Sequence, residues 1–147
     1  MNSKELAIDY LNEAKLRLKT VKSEVNKKAF AFSVRLSQEA VELSLKAALR
    51  FLGIDFPKWH DVGNIFLKEN DRFPDFFQNN ILKIASISKS LSNKRELAMY
   101  GDDKNDKSPS SLFNEKNAKD ALRDAEYCLE KVENLCKQLL KEHENKK

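Results

Sequence analysis

The stretch that decides the fold is residues 28–52, KAFAFSVRLSQEAVELSLKAALRFL. Its apolar side chains do not keep to one narrow stripe. They cover more than one face of a helix, which is typical of a helix surrounded by other helices. Gly53 follows, a residue type that commonly ends helices in a left-handed conformation, and Pro57 prevents the helix from continuing. The pattern therefore predicts a central helix over residues 28–52.

Helical periodicity also marks the segments on both sides of this helix. Residues 4–25 place an apolar side chain alternately every three and four positions, which predicts a first helix. Asp61 is a suitable N-cap for a short third helix over 61–68, and Pro74 suits the start of a fourth helix over 75–100. A broad apolar stripe predicts a fifth helix over 114–142. We therefore predict an all-α fold, an antiparallel up-and-down bundle of four long helices and one short helix.

Composition excludes the main alternatives. The 147 residues are 41% hydrophobic, enough for one core, so we expect a single domain over 1–147. Three Gly and three Pro are too few for the tight turns of an all-β fold. No stretch approaches the roughly 20 apolar residues of a membrane-spanning helix, and no signal-peptide pattern follows Met1. We expect a cytoplasmic protein with no membrane contact. The net charge of +4 is compatible with nucleic acid binding but also with simple solubility.

Two polar segments and two cysteines complete the organisation. Residues 101–111 predict a long mobile loop, and residues 142–147 form a charged C-terminal tail. Cys128 and Cys136 are eight positions apart on the apolar face of one helix, about 12 Å along its axis, which is too far for a disulfide. We expect both to be core residues. With two His in the chain, no metal-ligand spacing is present, so no metal site and no cofactor are predicted.

The most informative polar cluster is Arg95, Tyr100 and Asp102, where the fourth helix opens into the polar loop. These side chains could bind a ligand there. They could equally belong to an ordinary helix end, because Gly101 is suited to terminate the helix. His60, between Trp59 and Asp61, could be a base or a ligand, but a lone His more often has a structural hydrogen bond, and we favour that interpretation.

The predicted helical stretch from Ser37 to Leu49 is followed by Leu52-Gly53-Ile54 and then by His60-Asp61-Val62. This order is similar to the helix-turn-His pattern of the HEPN family (higher eukaryotes and prokaryotes nucleotide-binding). Arg95 falls where the family keeps its functional motif, so the resemblance covers about residues 5 to 140. It implies a bundle that pairs as a homodimer. The family contains metal-independent ribonucleases, and toxins of toxin–antitoxin pairs that small nucleotidyltransferase partners neutralise.

The family's nuclease motif is an Arg followed four to six residues later by a His. Arg95 matches the Arg, but Tyr100 stands where the His is expected. Because a Tyr, with an ordinary pKa near 10, is a poor general base at neutral pH, we expect little RNA cleavage, although Arg95 could still hold a phosphate. The candidate catalytic residues are thus Arg95 and Tyr100, and the candidate ligand-binding residues are Arg95, Tyr100 and Asp102.

Three function classes remain open from the sequence. The first is a nucleotide-binding or RNA-binding module, or toxin-type component, acting as a homodimer with a nucleotidyltransferase partner. The second is a ribonuclease with a degenerate Arg-x4-Tyr motif, and the third is a helical adaptor without a small-molecule site. Arg95 and Tyr100 are about 140° apart on an ideal helix, so we expect a shared site to need a bend at Gly101 or residues from a second subunit. We favour a groove across a two-fold axis, lined by paired Arg95 side chains.

Overall fold

The computed structural model describes residues 3–145. Four long helices make up most of it: α1 (Ser3–Asn26), α2 (Phe30–Phe51), α5 (Ile81–Tyr100) and α7 (Glu115–Asn145). Three short helices connect them, α3 (Gly63–Lys68), α4 (Asp75–Gln78) and α6 (Pro109–Leu112), with a 3₁₀ turn at Asn70–Arg72. The part of the chain that is described contains no β-strand, and its helices form a bundle. The predicted all-α fold is confirmed.

The central position of α2 is also confirmed, because α2 packs against α1, α5 and α7. Thirteen of its residues are buried, spread over several faces as the apolar pattern predicts. Gly53 ends the helix with φ +71°, and the backbone N–H of Ile54 returns to the carbonyl of Leu49 at 2.8 Å. This left-handed ending leaves the chain free to turn toward the segment that carries His60.

Several helix boundaries differ from the predicted ones. α2 begins at Phe30 because Lys28, with φ +63°, reverses the chain after α1. The predicted helix over 75–100 is divided into α4 and α5 around Asn80, whose side chain donates to the Phe76 carbonyl and accepts from the Tyr127 hydroxyl at 2.7 Å. α7 continues to Asn145, so residues 142–145 of the expected tail are helical, and residues 146–147 lie outside the described part.

The segment before α3 is anchored firmly to α5. Asp61 Oδ1 accepts hydrogen bonds from the Ser88 hydroxyl at 2.7 Å and from the Gly63 backbone N–H at 2.9 Å. The prediction that Asp61 is the N-cap is wrong by one residue, because the helix begins at Gly63 and its N-cap is Val62, which has no side-chain capping bond. A Cβ on Gly63 would meet the backbone of Ala85 at 3.0 Å, so the small residue permits the close approach of α3 to α5. His60 is thereby held beside α5.

The polar segment after α5 is more ordered than a simple loop. Gly101 ends α5 with φ +82°, and Asp102 and Lys107 exchange backbone hydrogen bonds of 2.8 and 3.0 Å in an isolated bridge. The Asp102 carboxylate accepts from Asn105, and α6 follows at Pro109. The predicted mobile loop over 101–111 thus differs only at its end, where residues 109–111 belong to α6, because Pro109 starts a helical turn.

Two further sequence expectations concern the core and the membrane. Cys128 and Cys136 are free thiols in the core of the bundle, as predicted. None of the helices within residues 3–145 is long and apolar enough to cross a membrane.

Candidate functional site

A groove lies between the segment before α3 and the last turns of α5. Its volume is about 350 Å³, and it is lined by His60, Ser92, Arg95, Glu96, Met99 and Tyr100. The five residues from α5 follow the spacing i, i+3, i+4, i+7 and i+8, which places them on one broad face of the helix. Four of the lining side chains, those of His60, Ser92, Arg95 and Tyr100, carry hydrogen-bond donors, and Glu96 carries a carboxylate. The groove therefore combines an apolar rim with donors suited to an anion.

Arg95 is fixed in this groove by a buried amide. Its Nη1 donates to the side-chain oxygen of Gln38 at 2.6 Å, and Gln38 is only 1% exposed. Among the described residues, the other guanidinium nitrogens make no hydrogen bond, and the side chain is 24% exposed. Arg95 is thus held at one nitrogen while its remaining N–H groups stay available for a ligand.

A cluster of three arginines surrounds Glu39 on the inner side of Arg95. Arg17 Nε and Arg35 Nε lie 3.0 and 3.1 Å from its two carboxylate oxygens, whereas Arg95 Nη1 is 3.9 Å away. Arg17 also pairs with Glu13 at 2.8 Å. Since Glu39 is already bonded by two closer guanidinium groups, it neutralises the charge of Arg95 only weakly. The neighbourhood of Arg95 therefore keeps positive charge for an incoming anion.

Glu42 connects this arrangement to His60. Its Oε1 accepts from Gln38 Nε2 at 3.0 Å and lies 2.9 Å from His60 Nδ1, while Oε2 accepts from Lys46 at 3.0 Å. Burial raises the pKa of Glu42, but the hydrogen bonds from Gln38, Lys46 and His60 outweigh burial and bring the pKa below its ordinary value. Glu42 is thus ionised at neutral pH, and it accepts a hydrogen bond from the Nδ1–H group of His60.

The structure brings together two of the three residues that the sequence singled out. Arg95 and Tyr100 line the same groove within one chain, because the groove extends across the broad face of α5 that carries both side chains. A second subunit is not needed to join them. Tyr100 is 67% exposed at the rim. Asp102 does not line the groove; its carboxylate is engaged by Asn105 in the following turn.

Four residues of the site were missed or underestimated from the sequence: Gln38, Glu42, Ser92 and His60. Gln38 and Glu42 are polar residues in a helix that is apolar on several faces, and that contrast is the signal that could have identified them. The structural interpretation favoured for His60 fits its bond to Glu42, but the same bond places the ring in the groove with Arg95. Ser92 carried no signal. Its Oγ is buried and has no hydrogen-bond partner among the described residues.

Comparison with known proteins identifies relatives of this fold. Over 91% of this chain and 98% of the other, the chain is similar to the crystal structure of TT1696 from Thermus thermophilus, with 20% identity and a TM-score of 0.72. It is also similar to ST0689, an archaeal HEPN homologue, with 18% identity and a TM-score of 0.68 over 88% of this chain and 97% of that one. No curated protein sequence gives a significant match.

The family comparison agrees with the resemblance based on the helix-turn-His segment and Arg95. The model of the HEPN domain matches residues 7–137, which is most of the chain. At 20% and 18% identity the two solved structures support the fold alone. The match to the family model decides the assignment: this chain belongs to the HEPN domain family.

Proposed function

We propose that the protein binds the phosphate groups of a nucleotide or RNA in the groove that contains Arg95. The observation that carries the proposal is the way Arg95 is held: one nitrogen is bound to buried Gln38 at 2.6 Å, and the other N–H groups have no partner among the described residues. A fixed guanidinium with free donors needs little reorganisation to bind a phosphate bidentately.

The surroundings of Arg95 support an anionic, aromatic ligand. Glu39 lies 3.9 Å from Arg95 but is bonded more closely by Arg17 and Arg35, so positive charge is left at the groove. Tyr100 is exposed at the rim, where its ring can stack on a base. Phosphate affinity from arginine and stacking on a tyrosine are together what a nucleotide or single-stranded RNA requires.

The test is a binding titration with matched arginine variants. Arg95→Ala should weaken binding of a fluorescent single-stranded RNA by roughly tenfold or more, since it removes a charged donor. Arg123→Ala is the control, because Arg123 is exposed on α7, pairs with Asp120 and does not line the groove. Unchanged RNA and nucleotide binding by the Arg95 variant would reject this function and favour a helical adaptor.

A second candidate is metal-independent RNA cleavage, and one observation favours it. The Arg-x4-Tyr motif lacks its His, yet His60 enters the same groove from a different segment, with Nδ1 bound to Glu42 at 2.9 Å. His60 can supply the proton transfer that Tyr100 performs poorly, while Arg95 stabilises charge on the phosphate.

Cleavage of RNA in the presence of a chelator should be measured for the wild type and for Arg95→Ala, His60→Gln and Tyr100→Phe. If the candidate is correct, the first two changes remove the activity and the third does not. An inactive wild-type protein leaves binding as the function.

We also propose that the protein is a homodimer. Most of the α7 stripe is buried within the chain, so the exposed apolar residues near the end of α5, such as Leu97 at 38%, are better candidates for the dimer contact. Leu97→Asp should convert a dimer into a monomer, as light scattering would show, whereas Leu16→Asp on α1 should not.

A nucleotidyltransferase is the proposed protein partner, as in toxin–antitoxin pairs of the family. Co-expression with a nucleotidyltransferase encoded beside the gene tests this partner, and failure to co-purify would contradict it.

A further inference from the structure

His60 presents one defined nitrogen to the groove. Ionised Glu42 can only accept hydrogen bonds, so Nδ1 carries the proton in the 2.9 Å contact. The remaining nitrogen, Nε2, then carries a lone pair and is a hydrogen-bond acceptor when the ring is neutral. It is an N–H donor when the ring is protonated. The ring is 57% exposed, and it lines the groove together with Arg95. Its donor capacity toward a ligand therefore depends on pH.

A third donor lies in the same groove. Ser92 is one helical turn before Glu96 on α5, and its Oγ is buried without a hydrogen-bond partner among the described residues. An unbonded hydroxyl in that position is unfavourable unless something else accepts its proton. A ligand oxygen in the groove would satisfy it once the hydroxyl turns from its buried position toward the groove.

The charges facing His60 come from two helices and from its own segment. On α2, Glu42 is balanced by Lys46 at 3.0 Å. On α5, Arg95 is only weakly neutralised, and Glu96 is exposed and forms no ion pair within the described residues, while the Tyr100 hydroxyl lies at the rim. The neighbouring carboxylate of Asp61 is occupied by Ser88 and Gly63. Protonation of His60 therefore adds a second positive charge beside Arg95, which offsets the carboxylate of Glu96 in the same groove.

We propose that Arg95, Ser92 and protonated His60 form a pH-dependent site for a terminal phosphate, the monoester group of a free nucleotide or of an RNA end. The proposal rests on the phosphate-binding function argued above and specifies its ligand. A monoester offers three terminal oxygens and nearly two negative charges, which match three donors and two cations. A phosphodiester within a strand offers two such oxygens and one charge, and it leaves one donor unsatisfied.

The first experiment compares adenosine 5′-monophosphate with the cyclic diester adenosine 3′,5′-monophosphate by calorimetric titration at about pH 6.5 and about pH 8. The monoester should bind roughly tenfold more tightly than the diester at the lower pH, and this preference should shrink at the higher pH. His60→Gln should remove the pH dependence, because glutamine does not ionise in this range. Ser92→Ala should weaken monoester binding without destabilising the protein, since the hydroxyl has no internal partner to lose.

NMR of the imidazole nitrogens distinguishes ligand binding by His60 from a purely structural role, because a structural role would leave the His60 resonance unchanged when phosphate is added. The chain has two His, so His143 on α7, which does not line the groove, serves as an internal control. Inorganic phosphate should shift the Nε2 resonance of His60 and leave that of His143 unchanged. Equal shifts of both, or none at His60, would overturn the proposal.

A second titration separates the two ligand sources. RNA of one sequence with a 5′-phosphate, with a 3′-phosphate and with hydroxyl ends is compared with the free nucleotide. If either end phosphate increases the affinity of the RNA, an RNA end is the ligand. If only the free nucleotide binds tightly, the free monoester is the ligand. If Arg95→Ala abolishes RNA binding but neither terminal phosphates nor His60→Gln affects affinity, the proposed function survives and this inference fails. If Arg95→Ala has no effect on any probe, both fail.

Discussion

Arg95 Nη1 donates a 2.6 Å hydrogen bond to the side-chain oxygen of Gln38, which lies 57 residues earlier in the chain. The other end of the same amide donates to Glu42 at 3.0 Å. Gln38 thus faces a cation with its acceptor and an anion with its donor. Neither a carboxylate nor an ammonium group could serve both neighbours, so an amide is the side chain that connects Arg95 to the carboxylate holding His60.

Replacing Gln38 by leucine should therefore weaken both stability and ligand binding. The change leaves the Arg95 and Glu42 contacts without their shared partner, and we expect the free energy of unfolding to fall by about 1–3 kcal/mol. Urea denaturation measures the stability, and titration with adenosine 5′-monophosphate measures the binding. Ser37→Ala is the matched control, because Ser37 is equally buried but its Oγ has no hydrogen-bond partner among the described residues. A leucine variant as stable as the wild type would show that the amide is not an anchor.

Acid should destabilise the protein partly through Glu42. Burial raises the pKa of this carboxyl, but the bonds from Gln38, Lys46 and His60 outweigh it and lower the pKa in the folded state. A lowered folded pKa stabilises the protein above the unfolded pKa, and this contribution is lost as the pH falls through the folded pKa.

The difference in unfolding free energy between the wild type and Glu42→Gln should accordingly be largest near neutral pH and decrease below about pH 4.5. Urea denaturation at a series of pH values measures it. Glu144→Gln, an exposed carboxylate near the end of α7 with no ion pair in the described structure, should show no such pattern. A constant difference across the series would contradict the assignment.

The sequence predicts the long helices well because each buries an apolar face whose spacing is visible in one dimension. α2 and α7 show this most clearly. The site is less predictable, because its contacts join residues far apart in sequence. The bonds from Arg95 to Gln38, from His60 to Glu42 and from Ser88 to Asp61 depend on how helices pack against one another. Asp102 is predicted as a site residue because it is close to Arg95 in the sequence. In the folded bundle, His60 is the residue that lines the groove with Arg95.

The two cysteines should be unreactive in the folded protein. Burial raises the pKa of Cys128 and of Cys136 to about 12, so almost no thiolate is present at neutral pH, and both side chains are shielded from reagent. Alkylation by iodoacetamide, followed by mass spectrometry, should give little product until urea unfolds the chain. Rapid labelling of either thiol under native conditions would indicate that α7 separates from the bundle.

The two left-handed glycines that end helices should differ in their tolerance of alanine. Gly53, with φ +71°, has open space where a Cβ would lie, so Gly53→Ala should cost only the conformational strain of about 1–2 kcal/mol. Gly101, with φ +82°, has the carbonyl oxygen of Lys107 in that space, too close for any Cβ, and Pro109 at 3.1 Å. Gly101→Ala must therefore also displace the bridge between Asp102 and Lys107.

We expect Gly101→Ala to lower the free energy of unfolding by more than Gly53→Ala, as urea denaturation would show. Because the displaced turn follows directly after Tyr100, the Gly101 variant should also alter RNA binding in the groove, whereas the Gly53 variant should leave it close to wild type. Equal destabilisation by the two alanines would contradict this prediction. It would mean that the bridge between Asp102 and Lys107 can be displaced with little loss of stability and does not hold the end of α5 in place.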